Sequence, residues 1–143
     1  MKSTSTIYDP LRKKEVAHTP EESVRQDLIT WLNKEIGVSM NLMMSEYPFT
    51  YNSLNYRADI VVFDLFRQPL ILVECKSPKV RITQDVIQQG IRYNRVLKVK
   101  YLIFSNGINT YALGLNIESS KYELLNRVPT YKEMLEKNRN KDE

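Results

Sequence analysis

Cysteine and histidine are almost missing from this chain, which has one of each in 143 residues. The single thiol, Cys75, forbids an intramolecular disulfide and any cysteine-built zinc cluster, and it fits a reducing compartment. The single imidazole, His18, forbids zinc sites made from several histidines and phosphodiesterase chemistry built on histidine pairs. A Ser-His-Asp triad would have to use that one ring. No apolar run approaches the roughly 18 residues of a membrane span, and the opening MKSTSTIYDPLRKKEV holds no apolar stretch of signal-peptide length. No membrane partner is expected, and the expected location is the cytoplasm. With only 4 Gly and 6 Pro, the chain is neither fibrous nor disordered.

What is present is the balance of a globular domain, 42% hydrophobic and 27% charged, in a length that suits one domain and is too short for two sizeable ones. Lys plus Arg number 21 against 17 Asp plus Glu, and the resulting charge of +4 permits a polyanionic partner without demanding one. Residues 1–18 lack periodicity and carry the basic cluster Arg12, Lys13, Lys14, so an irregular arm is expected there, followed by the domain proper over 19–128.

Thr19-Pro20-Glu21-Glu22 combines an N-cap hydroxyl, proline at the first helical position and a glutamate three residues after the cap, which starts a helix. Val24, Leu28, Trp31, Leu32 and Ile36 continue it at helical spacing to Gly37, predicting a helix over 20–36. Residues 42–48 read as an edge strand, followed by a polar loop through Asn52 and Asn55. The β-branched runs 60–63 and 70–73 read as two inner strands joined by a loop ending in Gln68-Pro69. A second helix over 82–97 follows, with Gly90 on its apolar side allowing close packing, then strands over 99–104 and 110–115 around the turn Ser105-Asn106-Gly107. The charged tail 129–143 is helix-prone at first and expected to fray. The order α, β, β, β, α, β, β predicts a single α/β domain with helices flanking a sheet.

Charge stands where apolar side chains belong at the end of the fourth run. Alternation along a strand puts Glu74 and Lys76 on one face and Cys75 on the other. Burying an acid and a base there costs several kcal/mol unless each is paired or bound. Asp59 opens the preceding strand. A hairpin whose paired residue numbers sum to 133 sets Asp59 opposite Glu74, with Cβ atoms about 5 Å apart; a sum of 135 would face it with Lys76, and a sum of 134 would turn it away from both. Two carboxylates so close resist joint ionisation unless a divalent cation lies between them, and oxygen ligands suit Mg²⁺ or Mn²⁺.

Arg57-Ala58-Asp59 followed by Glu74-Cys75-Lys76 resembles the PD-(D/E)xK nuclease motif, with Ala58 where the motif name has proline. The surrounding text resembles the N-terminal domain of type I restriction enzyme R subunits. Thr19 to Gln26 is similar to that family's opening helix, Gln89-Gly90-Ile91-Arg92-Tyr93 to its Q-x-x-x-Y element, and Tyr101 to Gly107 to its next strand and turn, so the resemblance spans residues 19–112. It implies a restriction-endonuclease-like mixed sheet and metal-dependent DNA cleavage. Asp59, Glu74 and Glu22 would hold Mg²⁺ or Mn²⁺, Lys76 would serve the reacting phosphate and its water, and Gln89 and Tyr93 would support them. The partners on this reading are DNA, other subunits of a restriction system and a homodimeric mate. No G-x-x-x-x-G-K-[ST] loop is present, so these residues encode no ATPase.

Each residue also has a plainer role. The capping box alone explains Glu22, and the apolar stripe of its helix is centred nearer Glu21. Tyr93 can be core, with Gln89 at its edge. Lys79 and Arg81 after the motif, and Arg92, Arg95 and Lys98 on the second helix, are either a solvated surface or phosphate contacts. His18 reads as surface and Cys75 as a small core hydrophobe. The nine tyrosines are scattered and define no stacking platform. The alternative to a nuclease is a catalytically silent nucleic-acid-binding or assembly module with the same fold.

Overall fold

A computed structural model describes residues 5–141, and side chains as far as Lys137. Two strands, β1 (Thr6–Asp9) and β2 (Lys14–Ala17), form an antiparallel ribbon ahead of α1 (Pro20–Trp31). A π-helical turn (Leu32–Ile36) prolongs α1, and Gly37 ends it at φ 90°, so the helical stretch matches the expected 20–36. After a short 3-10 turn come β3 (Met43–Tyr51), β4 (Leu54–Phe63), β5 (Pro69–Cys75), α2 (Gln84–Leu97), β6 (Tyr101–Ser105), β7 (Thr110–Asn116), β8 (Lys121–Leu124) and α3 (Tyr131–Lys141). Strands β3 to β8 make one sheet in chain order, antiparallel throughout except for the parallel pair β5–β6 that α2 connects. The result is a single mixed-sheet α/β domain of the expected restriction-endonuclease-like class.

Both faces of the sheet are covered, which is why the inner strands are unbroken apolar runs. One face packs Ile60, Val62, Ile71 and Val73 against Val24, Leu28 and Ile29 of α1, Leu32 of the π-helical turn, and Tyr131 and Met134 of α3. The other packs Val61, Leu72, Leu102 and Phe104 against Val86, Ile87 and Ile91 of α2. Edge strand β3 carries Pro48, whose missing N–H is tolerated there.

Three expectations need correction. The irregular arm over 1–18 is, from Thr6, the β1–β2 ribbon; its Arg12 pairs with Asp9 and with Glu22 of α1 and so docks the ribbon onto the domain, while Lys13 and Lys14 stay exposed. Residues 1–4 lie outside the described residues. The fraying tail is in its first turns part of the core, with Met134 1% exposed and the Tyr131 hydroxyl donating to the Phe63 carbonyl at 2.8 Å. The sheet also has a sixth strand, β8, whose short exposed stretch shows no usable alternation.

Gly90 decides how close α2 comes. A Cβ added there would lie 2.5 Å from Phe104 Cζ, and Phe104 is 1% exposed and hemmed in. Gly90→Ala should therefore lower stability by about 1–3 kcal/mol through overpacking, outweighing the ~1 kcal/mol that alanine gains in a helix interior. Urea titration of the variant checks this, and adding Phe104→Leu should restore part of the loss; an unshifted midpoint would show that the seat is not tight.

Candidate functional site

The β4–β5 ladder runs Val62↔Ile71, Val61↔Leu72, Ile60↔Val73, a register sum of 133, and then stops. One residue further, Asp59 lies across from Glu74. Where the strands part, the Asp59 Oδ2 accepts the Cys75 N–H at 2.8 Å, and Glu74 and Asp59 share a hydrogen bond. Strand alternation in β4 breaks at this point: Ile60 packs on the α1 side, yet Ala58 packs on the α2 side. Opposite the break, Glu46 of β3 has φ 57° and leaves the ladder, while Ser45 and Tyr47 on either side stay paired. A non-glycine residue at positive φ is held there by its surroundings, and such strain gathers at functional sites.

Lys76 follows β5 directly. Its N–H donates to the Ser105 carbonyl at 2.8 Å, extending the parallel pairing with β6 by one residue. Its side chain lines an open cleft of about 310 Å³ together with Glu74, Gln89 and Tyr93, floored by Phe104 and Gly90. Gln89 Nε2 donates to the Tyr93 hydroxyl at 2.7 Å, one turn apart on α2. The sequence motif and the Q-x-x-x-Y element thus meet in one place.

The electrostatics follow from burial. Desolvation, then the Asp59 charge and the hydrogen bond to Asp59, hold the Glu74 carboxyl well above the usual carboxylate range, with Lys76 pulling it back. Asp59 is also raised, by desolvation first, against the Cys75 N–H and the Arg25 guanidinium, which lower it. Glu74 is thus the more strongly raised member of the pair, as expected of like charges in contact. Burial likewise pushes the Cys75 thiol up, so it stays a neutral core group.

Glu22 and Glu21 take different parts. Buried Glu22 accepts from Arg12 Nη2 at 2.6 Å and Gln26 Nε2 at 3.1 Å, and lies 3.3 Å from Arg25 Nε. Its carboxylate ties α1 to the β1–β2 ribbon instead of facing the pair. Glu21, exposed at its tip, is raised by desolvation and then by Asp59, is drawn down by Lys76, and acts in turn on Glu74. Of the two, Glu21 is the one electrostatically linked to the pair, where the periodicity of the helix pointed, while the Glu22 carboxylate is engaged by Arg12 and Arg25.

Sequence reasoning missed Arg25. Only 7% of its side chain is exposed, and its guanidinium reaches Glu46 at 2.8 Å and Asp59 at 3.6 Å as well as Glu22. The available signal was a cation beside Val24 on the apolar stripe of α1. Also missed was an aromatic group: Phe49, Tyr51 and Tyr56 of the β3–β4 hairpin pack with Tyr93, with ring centroids 4.8–6.4 Å apart. Tyrosines scattered in sequence are gathered by the fold into one ring cluster, a grouping that their spacing did not show. Lys79 and Arg81 are exposed in the loop between β5 and α2, which Asn106 Nδ2 ties down by donating to the Val80 carbonyl at 2.9 Å. Arg92 and Arg95 are exposed on α2. His18 is exposed, as expected.

Comparison with known proteins extends this picture. A fragment of a protein described as a candidate HsdR subunit of a type I restriction enzyme from Vibrio vulnificus YJ016 superposes with TM-score 0.62 at 23% identity, covering 84% of this chain and 25% of that one. This chain thus spans about a quarter of that protein's length. A DUF820 protein from Anabaena variabilis ATCC 29413, described as a candidate nuclease, superposes with TM-score 0.52 at 12% identity, covering 93% of this chain and 85% of its own. Both likenesses speak to the fold. Among curated proteins none matches the sequence. The family described as type I restriction enzyme R protein N terminus (HSDR_N) matches residues 20–129, the stretch from the start of α1 to just short of α3 that contains every residue of the cleft. This chain therefore belongs to the family of type I restriction enzyme R protein N-terminal domains.

Proposed function

We propose that the chain is a metal-dependent nuclease domain that hydrolyses phosphodiester bonds in DNA. The observation that carries this reading is the meeting of Asp59 and Glu74 at the ends of two adjacent strands, beside a cleft that Glu74 shares with Lys76, Gln89 and Tyr93.

The donor set fits a hard divalent cation. Two carboxyls in contact, both raised by burial and Glu74 further by the Asp59 charge, form an electrostatic strain that a cation would relieve. Among the described residues no group of three or more acidic, His or Cys side chains forms a ready cage. Asp59 and Glu74 would hold the ion, with water, carbonyl and phosphate oxygens completing the shell, which suits Mg²⁺ or Mn²⁺ better than zinc. Glu21, which the Asp59 charge reaches, would be the third acid. When bound, the ion polarises the phosphate and lowers the pKa of an attacking water. Lys76 brings a positive charge to the phosphate from the same face as Glu74 and stabilises the charge that develops there. Gln89 and Tyr93 supply polar groups that orient the strand. Lys79, Arg81, Arg92 and Arg95 flank the cleft as phosphate contacts. All catalytic groups come from one chain, so a homodimeric mate is not needed to complete the site. On this reading other restriction subunits deliver the DNA.

Glu74→Ala and Lys76→Ala should each reduce Mg²⁺-dependent plasmid nicking at least ~100-fold with the fold intact. Unchanged nicking by both would refute the assignment, and DNA retained uncut by the native chain with every cation tried would mark a binding or assembly module. Glu21→Gln should weaken cation binding measured by calorimetry and leave the melting temperature near the native value. Glu22→Gln should do the reverse, costing about 1–3 kcal/mol of stability by leaving Arg12 and Arg25 short of an acceptor; the opposite pattern would return the third ligand to Glu22.

A stability signature accompanies the site. A carboxyl raised in the folded state contributes stability below its unfolded value, near 4.5 for Glu74, and loses it as pH rises through the folded value. In chelator, Glu74→Gln should therefore melt above the native chain at about pH 8, and the gap should close on acidification to about pH 4. Equal melting at both pH values would show that the pair carries no strain.

A further inference from the structure

The β3–β4 hairpin is longer than the sheet needs. Strand β5 pairs with β4 from Phe63 back to Ile60, so residues 54–58 and their β3 partners 47–51 project past the Asp59–Glu74 end as a two-stranded arm. At about 3.3 Å per residue the arm reaches roughly 15 Å beyond the cleft. A bare two-stranded ribbon is marginal in water, and this one is braced by aromatic packing: Tyr93 of α2 lies 4.8 Å from Tyr56, 5.4 Å from Tyr51 and 6.0 Å from Phe49, centroid to centroid. None of the four rings is fully buried.

Three observations select the occupant of this surface. Tyr93 belongs to the cleft as well as to the cluster, so the aromatic surface is continuous with the place where Glu74 and Lys76 would receive a phosphate. The arm is compatible with a polyanion: residues 47–58 contain no Asp or Glu, and the one charged residue among them is Arg57. Neighbouring Arg92 on α2 is exposed. Finally, tyrosine rings take a nucleobase on their faces whatever its sequence, while their hydroxyls bond sugar and phosphate. Bases inside a duplex already stack on one another, so such faces serve bases that have left the duplex.

We propose that the β3–β4 arm is a nucleobase-stacking platform on which Tyr51 and Tyr56, braced by Phe49 and Tyr93, receive unpaired DNA bases flanking the phosphate held at the cleft. The inference rests on the nuclease reading for that anchoring phosphate alone.

The test measures binding without cleavage. In chelator, fluorescence anisotropy of the full chain with labelled oligo(dT) and with a blunt duplex should show tighter binding of the single strand. Tyr51→Leu and Tyr56→Leu should each weaken single-strand binding about tenfold, within the range for one stacked base, and affect the duplex much less. Tyr51→Phe and Tyr56→Phe should stay within about threefold of the native chain, since the ring face is kept. Leucine variants that melt like the native chain and bind the single strand equally well would overturn the proposal, as would equal losses on both DNAs. Photocrosslinking of the native chain to an oligonucleotide carrying 5-iodouracil needs no variant: adducts within residues 49–56 support the platform, and adducts confined elsewhere overturn it. Full nicking by Glu74→Ala would defeat the nuclease reading and leave these binding results standing, so the two failures are distinguishable.

Discussion

Two carboxyl groups that repel each other, Asp59 and Glu74, are held side by side by the β4–β5 register, and the arrangement of the rest of the site answers to that. The register is enforced by burial: a slip of one residue would turn Ile60, Val62, Ile71 and Val73 from one covered face to the other. Apolar packing thus holds in place an acidic pair that electrostatics alone would push apart. The Cys75 N–H and Arg25 each offset part of the repulsion.

Around the pair lies a network whose role is geometric. Arg25 is buried among Glu22, Glu46 and Asp59, and Arg12 joins Glu22 to Asp9, so α1, β1, β4 and the edge strand's distorted residue are tied through two guanidinium groups. Desolvating that many charges returns little net stability. Arg25 Nε is within ion-pair distance of Glu22 but has no hydrogen-bond partner of good geometry. A planar fork that engages three acids on separate strands and helices instead fixes where Asp59 sits, and it separates the roles of neighbouring glutamates. Glu22 holds the scaffold, and Glu21, one residue earlier, has no such arginine partner among the ion pairs of the described residues.

The opposite wall depends on contact distance. Gly90 lets α2 settle on Phe104, which brings Gln89 and Tyr93 over Glu74 and Lys76. From there Tyr93 reaches the hairpin arm, so one side chain links helix, cleft and aromatic surface. The parallel β5–β6 pairing that α2 connects also extends to Lys76, fixing the backbone from which the ammonium projects.

Much of this was legible in the residues alone. The capped α1, the apolar runs of β4 and β5, the glycine in α2 and the motif from Asp59 to Lys76 are local patterns, and a hairpin with a short loop has few registers, so counting narrowed the partner of Asp59 to Glu74 or Lys76, and the observed sum of 133 sets it across from Glu74. The ribbon at the N-terminus, β8 and the packed start of α3 were not legible, because their few apolar positions acquire partners only from distant elements. The same holds for the site's finer chemistry. Periodicity pointed to Glu21 and the family pattern to Glu22, and only the arginines arriving from β1–β2 and from α1 itself decided between them. Composition counted nine tyrosines but could not gather three of them with Phe49, since strands β3 and β4 and helix α2 bring together residues up to 44 apart in the chain. Local pattern determines which elements form and which face each buries; long-range packing determines which charged and aromatic groups those elements carry into contact, because that depends on the separation and tilt of elements that no short stretch encodes.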